Sequence, residues 1–396
     1  MADTTVDTTV DPNLNIRVQE SGPVWTDAST GYIIYEDDAF DVVYQKTANG
    51  GATWGSPVTV HTGTVARLSI WFDKWTTGDA GTKIHIAYVD GGSEDVFYRD
   101  LDTSGDTLGT ARTVFAGVSF VFGGWTSGTV SITKSRGGYL YVGFWGDAGG
   151  ENGFFRSTDA GVNWTSRAAL ADDDSVDAIL LRPSNEADDQ DIWCIYWDRS
   201  ADEISLKTYD DSGNSWSETS VETSMADAVN YHTMAASIRQ SDGHLILAAW
   251  SELDATTADL MVWDINGSGS ITAKTDVVTN LAESSQVSVF INQQNDDIYI
   301  AYLKGGTWES TVDVMYKKST DGGASWGAEQ AYSEAAADDL RLVTSGLGVG
   351  DDGGIFQPVW FNDDLDDLFV NLVNDVVISA AGVTTRRYSL PITGIG

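Results

Sequence analysis

An eight-residue phrase recurs along this chain, and its recurrence constrains the fold more than any other feature. Thr47-Ala-Asn49-Gly-Gly51-Ala-Thr-Trp54 returns as Ser157-Thr-Asp159-Ala-Gly161-Val-Asn-Trp164 and as Ser319-Thr-Asp321-Gly-Gly323-Ala-Ser-Trp326. A weaker copy reads Tyr209-Asp-Asp211-Ser-Gly213-Asn-Ser-Trp216. The Asp or Asn side chain can accept bonds from backbone N–H groups of a turn, and the glycine can take a positive φ. The tryptophan can then fold back as an apolar plug between neighbouring units.

A longer repeat surrounds the phrase. Short strands that end in an aromatic residue close at Tyr35, Tyr88, Trp145, Tyr196, Trp250, Tyr302 and Trp360. Their spacing of about 50 to 60 residues, with about four short strands per unit, is that of a β-propeller. A further strand precedes most of them, as in Arg67-Leu-Ser-Ile-Trp71, and another follows, as in Val96-Phe-Tyr98. Apolar and polar residues alternate and long helical periods are absent. The expectation is an all-β chain: a single seven-bladed propeller over residues 14–380, with six blades as the alternative. Residues 1–13 read as a flexible N-terminal arm and 381–396 as a C-terminal tail carrying Arg386 and Arg387. Ring closure is expected from Leu14–Arg17 or Val376–Ser379, pairing with the last blade.

The turn phrases resemble the Asp-boxes of sialidase-like (BNR-repeat) β-propellers. In the resemblance Asn49, Trp54, Asp159, Trp164, Asp211, Trp216, Asp321 and Trp326 are structural residues, on the face opposite the ligand site. It therefore implies a fold and no particular activity. Sialidases themselves are six-bladed, so seven units point to other members. The Arg-Ile-Pro phrase of the enzymes is missing, and no Tyr–Glu nucleophile pair can be assigned.

On the expected ligand face, each aromatic-ended strand is followed by a polar residue. The candidate ring comprises Tyr35, Asp37, Tyr88, Asp90, Trp145, Asp147, Asp198, Trp250, Glu252 and Trp360. Aromatic faces stack on sugar C–H surfaces, and carboxylates accept hydroxyl protons. A second reading stands beside this one: the aromatics are blade-packing core and the acids are solvated loop ends, because core packing also recurs with the repeat.

The chain carries 59 acidic residues against 22 Lys and Arg, a formal net charge of −37. Such a surface argues against nucleic acid and anionic membranes as partners and repels anionic sugars. No apolar stretch is long enough to span a bilayer. The four histidines show no zinc spacing, and no metal centre is expected. Calcium is the one cofactor left open, at Asp100–Gly105 or Asp264–Gly269, although neither stretch has an acid at the twelfth position. Cys194 is expected as a buried thiol.

The function read from these features is a non-catalytic binding or structural-attachment propeller, presenting a face to a glycan or a partner protein. The alternative is a glycoside hydrolase using two carboxylates from among Asp90, Asp198 and Glu252. The start of the chain lacks a classical signal peptide. That suggests an extracellular or virion-surface protein released by lysis, such as a phage head or tail component assembling into an oligomer or virion, with a cytoplasmic protein as the alternative.

Overall fold

The computed structural model describes residues 3–11, 20–118, 129–145, 152–170, 178–186, 189–198, 201–223, 225, 234–251, 258–281, 286–305, 312–333, 340–343, 357–362 and 364–371. These residues form seven antiparallel sheets arranged as a propeller, and among them one 3-10 turn, Asp73–Trp75, is the only helical element. No described helix is long and apolar enough to cross a membrane.

Each blade is a meander running outward from the axis. Blade 1 is built from Val24–Trp25, Gly31–Glu36, Val42–Thr47 and Val58–His61, in that order. Blades 2 to 6 begin with the inner strands Val65–Phe72, Thr129–Lys134, Ala178–Pro183, Met234–Arg239 and Val287–Ile291. The strands alternate in direction. Connections from first to second and from third to fourth strand therefore share one face, and those from second to third strand, with the links between blades, share the other.

The seventh blade contradicts one expectation. Its first three strands are Leu340–Val343, Val359–Asn362 and Asp367–Val370, and its outermost strand is Thr4–Asp7, with Thr5 opposite Phe369. The segment expected as a flexible arm thus closes the ring. Its Thr/Asp composition hid it because an outermost strand needs little apolar surface; only Val6 of this strand is buried. Asp7 accepts hydrogen bonds from the Tyr35 hydroxyl and from Gln45 Nε2 (2.9 Å), lacing blade 7 to blade 1. Val10 donates its N–H to the Asp366 carbonyl at 3.1 Å. The closure candidates Leu14–Arg17 and Val376–Ser379, and the tail 381–396, lie outside the described residues.

The core lies between the blades. Ile84, Ile86 and Tyr88 on the second strand of blade 2, like Ile298, Ile300 and Tyr302 on that of blade 6, are fully buried. The inner strands carry a second device. An innermost strand has an unpaired edge facing the axis, and its backbone groups need partners. Ser69 Oγ accepts the Ile132 N–H (3.3 Å), and Ser131 Oγ accepts the Leu181 N–H (2.9 Å). Arg182 Nε donates to the Ala236 carbonyl (3.0 Å), and Gln286 Oε1 accepts the Leu342 N–H (2.6 Å). One side chain per blade therefore ties each of these inner strands to the next.

Candidate functional site

The recurring turns lie on the face formed by the third-to-fourth-strand connections. In three copies the geometry is the same. Gly51, Gly161 and Gly323 take φ of 82°, 87° and 86°, and their N–H groups bond to Thr47 Oγ1, Ser157 Oγ and Ser319 Oγ. Asn49, Asp159 and Asp321 each accept the N–H four residues on, at 3.0, 2.9 and 2.9 Å. Two of the tryptophans reach the preceding blade, Trp164 against Tyr98 and Trp326 through Nε1 to the Thr275 carbonyl (2.7 Å), while Trp54 packs against Trp25 of its own blade.

The fourth copy folds differently. Asp210, not Asp211, holds the turn by accepting the Ser212 hydroxyl and the Gly213 N–H, and Asn214 takes the positive φ. Asp211 instead receives Arg156 Nη1 at 2.6 Å, tying blade 4 to blade 3. Trp216 is the second residue of a long outer strand, Ser215–Thr223, and packs on Phe154 and Tyr209. Tyr209, standing where the other copies have a hydroxyl for the glycine N–H, accounts for the difference: its own hydroxyl goes to Asn214.

The opposite face carries the residues expected to bind a ligand. The structure corrects the aromatic half of that expectation: Tyr35, Tyr88, Trp145, Trp250 and Trp360 are all 0% exposed. Their rings fill the seams between blades, so none offers a stacking platform. The strand terminates there because the sheet reaches its rim, and a large apolar residue seals the last buried position.

The carboxylates have a local structural task. Asp37 Oδ1 accepts the N–H groups of Ala39 and Asp41, both at 3.0 Å. Asp90 Oδ1 accepts that of Gly92 (2.8 Å), and Asp198 Oδ1 that of Ala201 (3.0 Å). Asn362 does the same for Asp364 at 3.0 Å. These residues open the second-to-third-strand hairpins as Asx turns, which is why they recur. Asp147 and Glu252 lie outside the described residues.

The hairpins nevertheless share a chemistry that goes beyond turn formation. Blade 1 presents Asp37, Asp38 and Asp41; blade 2 presents Asp90, Glu94 and Asp95; blade 4 presents Asp198, Asp202 and Glu203; blade 7 presents Asp364, Asp366 and Asp367. The described positions of these four hairpins contain no lysine or arginine. By contrast, Lys46–Asp106, Lys83–Asp100, Lys134–Asp79, Arg239–Asp242 and Lys318–Asp297 all pair on the turn-phrase face. The sequence shows the acid excess; only the topology shows that these five ion pairs lie at one end, whereas Lys304, paired with Glu329 at 2.5 Å, stands at the hairpin of blade 6 on the other.

Crowding leaves a mark on the acids. Burial, with Asp41 and Asp38 nearby, raises the Asp37 carboxyl above the usual carboxylate range. Burial, with Asp366 and Asp7 nearby, does the same to Asp367. Asp90 moves the other way. Burial opposes its charge, but the Gly92 N–H and His61, whose Nε2 sits 3.0 Å from Oδ2, outweigh it.

Other sequence expectations resolve simply. His85 sits in a buried network, Nδ1 to the Tyr98 hydroxyl (2.8 Å) and Nε2 to Asp73 (2.9 Å). Cys194 is buried, and burial pushes its thiol up to about 12. In the two calcium-like stretches, Asp100 pairs with Lys83 and Asp264 with His244 (both 2.6 Å). No cluster of three or more His, Cys, Asp or Glu able to hold a metal occurs among the described residues.

No protein-family model matches the chain, and no curated protein matches it. Solved propellers do. An ulvan lyase of polysaccharide lyase family PL25, bound to a GlcA(1-4)Rha3S saccharide, aligns with a TM-score of 0.61 at 12% identity, covering 94% of each chain. The hydrazine synthase of Kuenenia stuttgartiensis aligns at 0.51 and 11% identity, over 91% of this chain and 97% of that one. The intramolecular trans-sialidase of Ruminococcus gnavus, in complex with oseltamivir carboxylate, aligns at 0.50 and 12% identity, over 95% and 98%. The chain therefore shares the fold of sialidase- and polysaccharide-lyase-like propellers. Three such different proteins on one fold leave activity to be argued from this chain's own residues.

Proposed function

We propose that this chain is a non-catalytic recognition propeller for neutral or amino-bearing glycans, held by carboxylate–hydroxyl hydrogen bonds at the acid-rich face. One observation carries the reading: four hairpins on one face present carboxylates and no described cation, while five of the Lys and Arg ion pairs named above gather on the other. A carboxylate accepts hydrogen bonds from sugar hydroxyls or ammonium groups. The same face repels uronate, sulfate and sialate groups. The chain is thereby set apart in ligand class from propellers bound to acidic saccharides.

The three regular turn phrases support placing the chain in the Asp-box superfamily. An attachment role outside the cell or on a virion surface is consistent with such a face, as is assembly of several copies. Calcium remains a candidate bridge between two such carboxylates and a sugar diol.

The test is a glycan array bearing neutral, amino and anionic glycans, with and without calcium, alongside fluorogenic glycosides and a lyase assay on uronate polymers. Binding of neutral or amino glycans without turnover supports the reading. Turnover, or a preference for sialylated or uronate glycans, overturns it.

A further inference from the structure

The outer strand of blade 4, Ser215–Thr223, runs nine residues. Its counterparts are much shorter or interrupted. Those of blades 1, 3 and 6 are Val58–His61, Thr165–Ser166 and Gln330–Ala331. Blade 2 splits its edge into Thr107–Leu108 and Arg112–Ala116, and blade 5 into Ile271–Ala273 and Val278–Leu281. Short or broken edge strands are how sheets avoid pairing with other chains. Six of the seven blades keep to that rule, and blade 4 does not.

The edge is regular and open. Ser215 to Ser220 pair in unbroken register with Asp210 to Ser205, and a single bulge follows before Glu222. No described strand pairs with the outer side of Ser215–Thr223. Apart from Trp216, Val221 and Glu222, which are half-buried, its residues are exposed. It contains no proline and no lysine or arginine, and alternate backbone groups face solvent. Trp216 is anchored inward, its Nε1 donating to the Ala168 carbonyl at 3.1 Å, so the strand is pinned at its start.

We propose that Ser215–Thr223 is a docking edge that captures an extended, basic segment of a partner protein by adding it as a fifth strand. Main-chain hydrogen bonds supply affinity in this mode, and the flanking side chains supply selectivity. The charge selects the partner. Glu218 and Glu222 stand on opposite sheet faces, because the bulge reverses the alternation between them. A lysine on either face of the incoming strand therefore finds a carboxylate, Glu222 on one face and, on the other, Glu218, which it would share with Lys207 Nζ 3.5 Å away. A second copy of this chain is disfavoured as occupant, because its net charge of −37 repels itself.

The probe is an N-acetylated, C-amidated nonapeptide of threonine, valine and lysine, with lysines at its second, fifth and eighth positions. Its binding to the full chain is followed by fluorescence anisotropy, and amide hydrogen exchange reports where it sits. The expected result is saturable binding with protection confined to 215–223, weakened roughly two- to fivefold by each of Glu218→Gln and Glu222→Gln. Of Thr219→Pro and Ser220→Pro, one replaces an outward-facing N–H and leaves the fold intact by its thermal transition; that variant should lose the peptide. The proposal is overturned by equal binding of a proline-interrupted peptide of the same charge, by protection at the acid-rich hairpins instead, by absence of binding, or by self-association through 215–223.

Discussion

Arg182 Nη2 lies 2.7 Å from Glu20 Oε1, so an ion pair links the inner strand of blade 4 to the segment entering blade 1, both residues being 2% exposed. Blades 1 and 4 are not neighbours, so the pair spans the centre of the ring. Ser69 of blade 2 joins it, its hydroxyl donating to Glu20 Oε2 at 2.6 Å, and the Arg182 guanidinium lies 5.7 Å from the Trp71 ring centroid. Removing one member leaves the other charge buried without its partner, which costs about 3–5 kcal/mol. Glu20→Gln and Arg182→Met should each destabilise by that order in urea unfolding, and the double variant should recover part of the loss. A single-variant loss below about 1 kcal/mol would falsify a structural role for the pair.

The network around Asp73 sets an acid limit. Burial opposes its charge, but His85 and Lys134 outweigh burial and hold its carboxyl well below the usual range. A depressed folded-state value means stability that is fully present above the unfolded value, about 3.9, and is lost as pH falls toward the folded one. The urea midpoint should therefore drop steeply below about pH 4. Asp73→Asn should cost roughly 2–3 kcal/mol at pH 7 and flatten that acid limb. An unchanged limb would assign the acid sensitivity to other carboxylates.

Asp37 has the opposite sign. Its raised carboxyl means that ionisation costs the folded state, a cost present above the folded-state value and relieved as pH falls through it. Asp37→Asn keeps the acceptor for Ala39 and Asp41 and removes the charge. At pH 7 it should stabilise the fold by less than about 1 kcal/mol, because solvent screens the site, and raise the thermal midpoint slightly. The gain should shrink as sodium chloride is raised.

The turn glycines separate two kinds of constraint. A Cβ on Gly161 would lie 2.1 Å from Tyr98 Cε1 at φ +87°, whereas Gly138, at φ +97°, has open space. Gly138→Ala should cost about 1 kcal/mol from backbone strain alone. Gly161→Ala should cost about 2–4 kcal/mol, because the seam between blades 2 and 3 must also open. Equal losses in calorimetry would mean that Tyr98 gives way freely.

Deleting residues 1–7 removes the closing strand together with the Asp7 contacts to Tyr35 and Gln45. The thermal midpoint should fall by several degrees, and amide protection should be lost first along Asp367–Val370. Protection lost evenly around the ring would count against a closing role for Thr4–Asp7.

Much of this architecture was legible in the sequence, because a repeat makes its packing visible. The aromatic spacing gives the number of blades, and three of the four turn phrases adopt one geometry. The same regularity misleads about function. Tyr88 and Asp90 recur because a seam needs a plug and a hairpin needs a turn-opening acceptor. The closing strand was hidden for the converse reason: Thr4–Asp7 occurs once and buries one valine, so it leaves no periodic trace. The serines of the inner strands do leave one, since Ser69 and Ser131 stand in register opposite Ala87 and Gly143. A lone hydroxyl within an apolar run is readable only once the unpaired inner edge is known.

The strand that completes the seventh blade is translated before every other strand of the ring, and its partner, Asp367–Val370, after all of them. While the intervening blades are synthesised, Thr4–Asp7 has no sheet to join. The ring can therefore shut only after translation has passed the last blade. Until then the nascent protein exposes an open seam at each end of the growing arc, where a chaperone or a neighbouring nascent chain can bind before the native partner arrives.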